Sequence, residues 1–307
     1  MDKKVFNKHG SVTTNLSRDL MSLDVGDRLP TIIDYTEIFS VSRGVVQNSI
    51  SLLEDEGCIS LNRSGKLGTV LSAINHEKLC KYTHWDPLVG AMPIPFNDIF
   101  RSLATALYYD SQKLPLYSSV AYVSGAANRW SMLSKGFFDY IVTSVATAEY
   151  ILAADAEIEL LFTLPDCRYE EPYCLIFLDN KDTEIRDGMK VGVDPEAIDQ
   201  MQLSKAMCKG KNVEFVKMPL EGAVEILHTH AVDCMVIRNE KWFKNNTNLI
   251  PLPVTTSDYP IEDTTIPAIL INKNNYGIKN LLNKFLSPVA LAHAQQHALR
   301  VQSNYRF

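Results

Sequence analysis

Apolar residues Val12, Leu16 and Leu20 recur at helical spacing near the start of the chain, and the polar run DVGDR at 24–28 ends that periodicity. A second helix is predicted to open at PTIID, where Pro30 precedes Thr31 as N-cap and Asp34 completes a capping-box spacing. Ser42 is placed to cap a third helix in the same way. Along that helix Val46, Ser49, Ile50 and Leu53 share one face, while Arg43, Gln47, Asn48 and Ser51 fall on the other. Gly57 supplies its stop. CISLNRSGKLGTVLSAI then reads as two β-prone runs around the turn Asn62–Lys66, a hairpin. The first domain is therefore set at 1–74, and the polar segment 75–86 is read as a linker with enough apolar residues to be helical and partly packed.

From residue 87 to 307 the pattern changes to β-like apolar runs alternating with helical stretches, as in an α/β fold. PLVGAMPIP, LYSSVAYV and FDYIVTS read as strands separated by helices NDIFRSLATALYYD and RWSMLSKG. A similar unit recurs later: strand MKVGVD, a helix over 196–208, strand VEFVKM, helix EGAVEILHTH and strand VDCMVIR. Asp139 and Asp233 occupy matching places just before a buried strand in the two units. A long stretch intervenes between the two units, and after the second come the returning strand IPAILIN and a terminal helix from about 277. Two such lobes predict a binding domain with its site between them.

Composition narrows the class. With 307 residues and 46% hydrophobic residues, the chain fills two domain cores. The N-terminus carries no apolar run of signal-peptide length and no stretch is long and apolar enough to span a membrane, so a cytoplasmic location is expected. The six cysteines (Cys58, Cys80, Cys167, Cys174, Cys208, Cys234) form no CxxC pair and read as reduced, mostly buried thiols. Net charge is −6, and residues 1–75 hold eight Lys or Arg against nine Asp or Glu. No global basic field exists, so any nucleic-acid affinity must come from the placement of individual charges.

The stretch from Gly26 to Leu71 resembles the winged helix-turn-helix of GntR-type regulators. The likeness rests on Leu29-Pro30-Thr31, Val41-Ser42-Arg43, the Leu53 to Gly57 closure and Gly68-Thr69 in the wing. It departs from that pattern where Ile33 and Gln47 replace two usual arginines. The whole chain further resembles the YhfZ type of transcriptional regulators, through Val89-Gly90-Ala91-Met92-Pro93-Ile94-Pro95 and the L-x-x-G-x-x-D-x-x-V-x-S run from Leu133 to Ser144. The resemblance implies an α+β winged helix-turn-helix followed by a two-lobed α/β domain like type 2 periplasmic-binding proteins. Without those two arginines, DNA affinity calls for a dimer that sets two recognition helices about 34 Å apart.

Arg43 can reach guanine O6/N7 or a phosphate, and Gln47 and Asn48 carry amides that suit adenine. Arg63, Lys66 and Gly68 fit a wing lying on phosphates or the minor groove. Thr31, Ser42 and Thr69 complete the candidate DNA-binding set. The plainer alternative is a solvated helix face and an ordinary hairpin turn. The candidate effector residues lie at carboxyl ends of strands: Met92, Pro93 and Ile94; Ser124, Gly125 and Ala126; Ser144 and Val145; Asp194, Arg238 and Asn239. Serines before helices suit a small polar or anionic ligand, though each is also an ordinary N-cap. Arg129 and Trp130 can add a charge and a stacking face, or serve surface and core.

Catalytic signals are poor. His293-Ala-Gln-Gln-His297 lacks the glutamate of an HExxH site, and neither His228-Thr-His230 nor Cys167 with Cys174 has further ligands at a recognisable spacing. No metal or cofactor is expected. The resulting expectation is a transcriptional regulator, not an enzyme, that binds operator DNA as a dimer and senses a small effector between its lobes. The alternatives are a cytoplasmic solute-binding or sensory protein whose winged helix contacts other proteins, and an enzyme on the same two-lobed fold.

Overall fold

The structure, a computed structural model, describes residues 8–63, 68–85, 87–220, 231–239 and 249–304. The elements run α1 (Lys8–Leu20), α2 (Ile32–Phe39), α3 (Arg43–Asp55), β1 (Ile59–Arg63), β2 (Thr69–Ile74), α4 (His76–Thr83), β3 (Leu88–Met92) and α5 (Asp98–Ser111). They continue with β4 (Ser118–Tyr122), α6 (Ala126–Ser134), β5 (Tyr140–Ser144), α7 (Val145–Ala154), β6 (Ile158–Thr163), β7 (Tyr173–Phe177), β8 (Lys190–Val193) and α8 (Ile198–Met207). The last are β9 (Glu214–Lys217), β10 (Cys234–Arg238), β11 (Leu252–Pro253), β12 (Pro267–Asn272), α9 (Ile278–Phe285) and α10 (Pro288–Asn304). The chain divides into two compact units. The first takes in Met1–Val89, Tyr108–Ser119 and Lys273–Ser287, and the second Gly90–Leu107, Val120–Asn272 and Pro288–Phe307.

The first unit is a helix-turn-helix with a hairpin. Val12, Leu16 and Leu20 are all buried, so the spacing that predicts α1 is the face it packs. α3 buries Val46, Ser49, Ile50 and Leu53, the four residues its periodicity assigns inward. Each fully buried Leu or Val is worth about 1.5–3 kcal/mol, which is what holds a helix of 13 residues whose outer face is polar. The two inner polar groups pair: Thr13 Oγ1 donates to Ser49 Oγ at 3.0 Å and joins α1 to α3. α2 starts on the expected capping box, with the Asp34 N–H donating to Thr31 Oγ1 at 3.2 Å and the Thr31 N–H to Asp34 Oδ2 at 2.7 Å. α3 stops as expected: Gly57 has φ +65°, and the Cys58 N–H returns to the Leu53 carbonyl at 2.8 Å.

β1 and β2 pair antiparallel, and the segment ahead of α2 adds to them. The Leu29 N–H donates to the Thr69 carbonyl at 2.9 Å and the Leu71 N–H to the Asp27 carbonyl at 2.9 Å. The 75–86 segment contains α4, which buries Leu79, Cys80 and Thr83 against α1. There the Arg18 Nε–H donates to the Thr83 carbonyl at 2.7 Å, and its guanidinium sits 4.8 Å from the Trp85 ring centre. Trp85 is buried and its indole N–H donates to Asn275 Oδ1 at 3.1 Å, beside the start of α9, which also contacts α1.

The second unit has two five-stranded sheets, ordered β4-β3-β5-β12-β6 and β11-β7-β10-β8-β9. In the first, β12 arrives from beyond all five strands of the second. β12 runs antiparallel between β5 and β6, and β7 runs antiparallel between β10 and β11. β3 and β5 are parallel, as β8 is to β9 and β10. The chain therefore crosses between the lobes twice, over 164–172 and over 254–266. Every residue of β5, β7, β10 and β12 is buried, as central strands covered on both faces must be.

One expectation is corrected. The terminal helix from about 277 is two helices, α9 and α10, because Pro288 cannot continue a preceding helix and takes the first position of the next. The long intervening stretch between the repeated units, to which the pattern assigned no elements, holds α7, β6 and β7. The helix expected over 221–230 and His228 and His230 lie outside the described residues.

Candidate functional site

On the helix-turn-helix, α2 ends at Ser40 in the left-handed region, φ 52°, and Ser42 leads into α3. Ser42 has the extended backbone of an N-cap but makes no side-chain cap bond, so its expected capping role is not seen. No acidic residue occupies the first turn of α3, which leaves N–H donors and the positive end of the helix dipole facing solvent beside Arg43. Arg43, Gln47, Asn48 and Ser51 are all exposed along one side.

The wing is more neutral than the sequence implies. Arg63, opposite Thr69 at the end of the hairpin, forms a two-pronged ion pair with Glu54 of α3. Lys66 lies outside the described residues. Gly68 has φ +80°, and a side chain there would meet the Arg28 Nε at 2.6 Å, so glycine is what lets Arg28 lie along the wing. Arg28 is exposed and bridges to Val70. Sequence reasoning passed over it, although it immediately precedes Leu29-Pro30-Thr31.

Between the lobes of the second unit, the candidate effector residues separate into three groups. Met92 is buried at the end of β3, and Pro93 and Ser124 are half-buried. Gly125 precedes α6 with φ +75°; a side chain there would lie 2.6 Å from Glu196 Cβ of the second lobe, so only glycine permits the approach. Beyond Ala126, the Ala127 N–H donates to the Glu196 carbonyl at 3.1 Å, so backbone from the second lobe already occupies that helix end. Asp194 stands apart: its two carboxylate oxygens accept the Glu196 and Leu220 N–H groups at 2.9 and 2.8 Å and close a turn after β8. Trp130 donates to Asp155 Oδ2 at 2.9 Å and ties α6 to the end of α7. The Asn239 N–H donates to the Pro172 carbonyl at 2.9 Å.

Ser144 and Arg238 are brought together, with partners that sequence reasoning missed. Ser144 caps α7 by accepting the Thr147 N–H at 3.0 Å, and donates its own proton to Asp199 Oδ2 at 2.6 Å. Thr147 Oγ1 and the Tyr259 hydroxyl donate to Asp199 Oδ1 at 2.7 and 2.8 Å. Arg238 Nη2 stands 3.5 Å from Asp199 Oδ2, while its Nε is ion-paired to Glu170. The guanidinium lies 3.6 Å from the centre of the Tyr173 ring, and Nη1 donates to the Glu171 carbonyl at 3.0 Å. Behind this group the buried Arg129 donates to the Val123 carbonyl at 2.8 Å and to the Tyr169 hydroxyl at 3.1 Å.

Ser144 and Thr147 belong to the first lobe, Asp199 and Arg238 to the second, and Glu170 and Tyr259 to the two crossings. Burial disfavours the charge on Arg238, but Glu170, Tyr173 and Asp199 outweigh it and hold its pKa above the ordinary arginine value. Burial, and next the Asp199 charge, raise the Tyr259 hydroxyl well above its usual range, so it stays a proton donor. Burial likewise pushes Tyr169 up to about 12. The arrangement is a buried, hydrogen-bonded ion cluster built to hold carboxylates.

Other chemistry is sparse. All six cysteines are buried and none is in a disulfide, and burial raises Cys167 and Cys234 to about 12, far from a reactive thiolate. His293 and His297 are exposed on α10. Among the described residues no group of His, Cys, Asp or Glu is placed to hold a metal ion, and no helix is long and apolar enough to cross a membrane.

Residues 24–71 match a helix-turn-helix domain family, and residues 75–307 match the YhfZ C-terminal domain family. Protein YhfZ of Escherichia coli (strain K12) is 26% identical over 304 residues, covering 97% of each chain. The crystal structure of YhfZ from Shigella flexneri aligns with a TM-score of 0.61 at 21% identity, over 76% of this chain and 98% of that one. A periplasmic substrate-binding protein of an ABC transporter from Coxiella burnetii aligns with a TM-score of 0.45 at 11% identity, over 69% of this chain and 97% of that one. An N-terminal helix-turn-helix domain followed by a mixed-sheet α/β domain of this extent makes the chain a member of the YhfZ C-terminal domain family.

Proposed function

We propose that the chain is a DNA-binding transcriptional regulator: residues 1–74 bind an operator, and residues 87–307 bind a small polar or anionic effector between the two lobes. It acts in the cytoplasm as a homodimer, by binding rather than catalysis. The observation that carries this reading is α3, whose apolar face is wholly buried while Arg43, Gln47 and Asn48 stand exposed beside an uncapped helix start. Exposed N–H donors at a helix start suit a phosphate, and the three side chains suit base edges. The effector matters only through unequal affinity for open and closed lobes, which shifts the spacing of the two recognition helices.

The test is fluorescence anisotropy of the full chain on its own upstream DNA at stepped salt concentrations. Affinity is expected to fall steeply with salt, Arg43→Ala to cost about 1–3 kcal/mol, and Arg28→Ala to lower the salt slope by about 1. Retention that ignores salt and both substitutions would refute the reading. A second reading, a winged helix that contacts another protein, is favoured by one observation: Glu54 neutralises Arg63 on the wing. It requires DNA retention to be unaffected by Arg43→Ala.

A further inference from the structure

We propose that Asp199 is a tethered stand-in for the effector's carboxylate: the hydroxyls of Ser144, Thr147 and Tyr259 form a carboxylate receptor, and a free small carboxylate competes with Asp199 for it and holds the lobes apart. This rests on the reading that the effector binds between the lobes. Three hydroxyls donate to one carboxylate and reach both of its oxygens, with the Arg238 guanidinium 3.5 Å from the oxygen that Ser144 serves, which meets the demand of a planar two-oxygen anion. Ser144 accepts the Thr147 N–H on a lone pair of its hydroxyl oxygen and gives its single proton to Asp199. Asp199, Ser144 and Thr147 are each about 5% exposed or less, so these donors replace the water the carboxylate has lost.

The charges say which carboxylate is replaceable. Arg238 serves both Glu170 and Asp199, and holds Glu170 the more closely. Removing Asp199 leaves Arg238 paired with Glu170, so no buried charge is orphaned. Ser144 and Thr147 come from the first lobe and Asp199 from the second. Parting the lobes therefore carries Asp199 away together with Arg238 and exposes the Ser144 and Thr147 hydroxyls for another carboxylate.

The test uses the full chain, wild type and Asp199→Ala, titrated with sodium acetate and separately with sodium phosphate at matched ionic strength and read by calorimetry. Asp199→Ala leaves a vacancy of acetate size. Where Asp199 fills the receptor for nine-tenths of the time, removing it tightens acetate binding by roughly 10-fold. Acetate is expected to bind the variant that much better than wild type, Thr147→Val added to it is expected to abolish the gain, and phosphate is expected to show none. No gain with acetate, an equal gain with phosphate, or a gain that survives Thr147→Val each overturns the proposal. Should Asp199→Ala not fold, Asp199→Asn keeps the volume and loses the charge. Its radius of gyration by X-ray scattering is then expected to exceed that of wild type, and an unchanged radius overturns the proposal. Native mass spectrometry of the purified wild type separates the two readings. A small molecule retained by wild type but lost from a variant lacking Arg238 keeps the effector site even when the acetate titrations fail.

Discussion

Arg63 shows how a basic side chain can sit where DNA recognition needs it and still contribute little. Its ion pair with Glu54 is exposed, and such pairs are worth about 0–1 kcal/mol, so the tie is weak but occupies the guanidinium. Glu54→Gln is expected to free Arg63, to tighten operator binding less than about 6-fold and to steepen the salt slope by about 1, as read by anisotropy. A looser complex after that change would mean that Arg63 is not on the DNA side. The inward residues of α3 were legible in the sequence because 3.6-residue periodicity is a local property, and the Thr31–Asp34 capping box for the same reason. Arg28 could have been read from its place before Leu29-Pro30. Asp199, Glu170 and Tyr259 could not, because they meet Ser144 and Arg238 from segments tens of residues apart, and no spacing along the chain encodes that.

At the scale of elements, the first unit is fastened around Asp19 on α1. Tyr35 of α2 donates to its Oδ2 at 2.7 Å, and Tyr276, just ahead of α9, lies 3.4 Å from Oδ1. Burial raises the Asp19 pKa from 3.8, and the two tyrosine hydrogen bonds only partly oppose it. Between 3.8 and that raised value the folded chain binds more protons than the unfolded one. Stability from this group is therefore greatest at low pH and is lost as pH rises through the folded pKa. Asp19→Asn keeps an acceptor for Tyr35 and carries no charge. Its melting temperature relative to wild type is expected to rise from pH 3 to pH 7, whereas a constant difference would mean that Asp19 ionises in the fold without cost. The elements missed in the sequence have physical reasons too. α7 (VATAEYILAA) is apolar on nearly all sides, so it shows no stripe, and β7 is a wholly buried run of five whose membership in the second sheet is a matter of long-range pairing.

For the molecule as a whole, the sequence repeat revealed two lobes and the returning strand IPAILIN, but not that β12 lies between β5 and β6 or that β7 lies between β10 and β11, since a strand that pairs far from its neighbours in sequence leaves no local mark. Nor did it reveal how the first unit is assembled. The chain passes between the two compact units after Val89, Leu107, Ser119, Asn272 and Ser287. Within the first unit, α4 and α9 both pack on α1, and Trp85 and Asn275 join them. A fragment ending at residue 74 loses that cover and is expected to show no cooperative melt by circular dichroism; a sharp two-state transition would contradict this. Regulators joined by one tether can trade heads by gene fusion, one cut serving for each exchange. Here a graft at residue 75 discards α4 and α9, which brace the α1 helix that packs on the recognition helix, so this protein's DNA specificity is more readily altered by substitutions on the exposed side of α3 than by swapping whole modules.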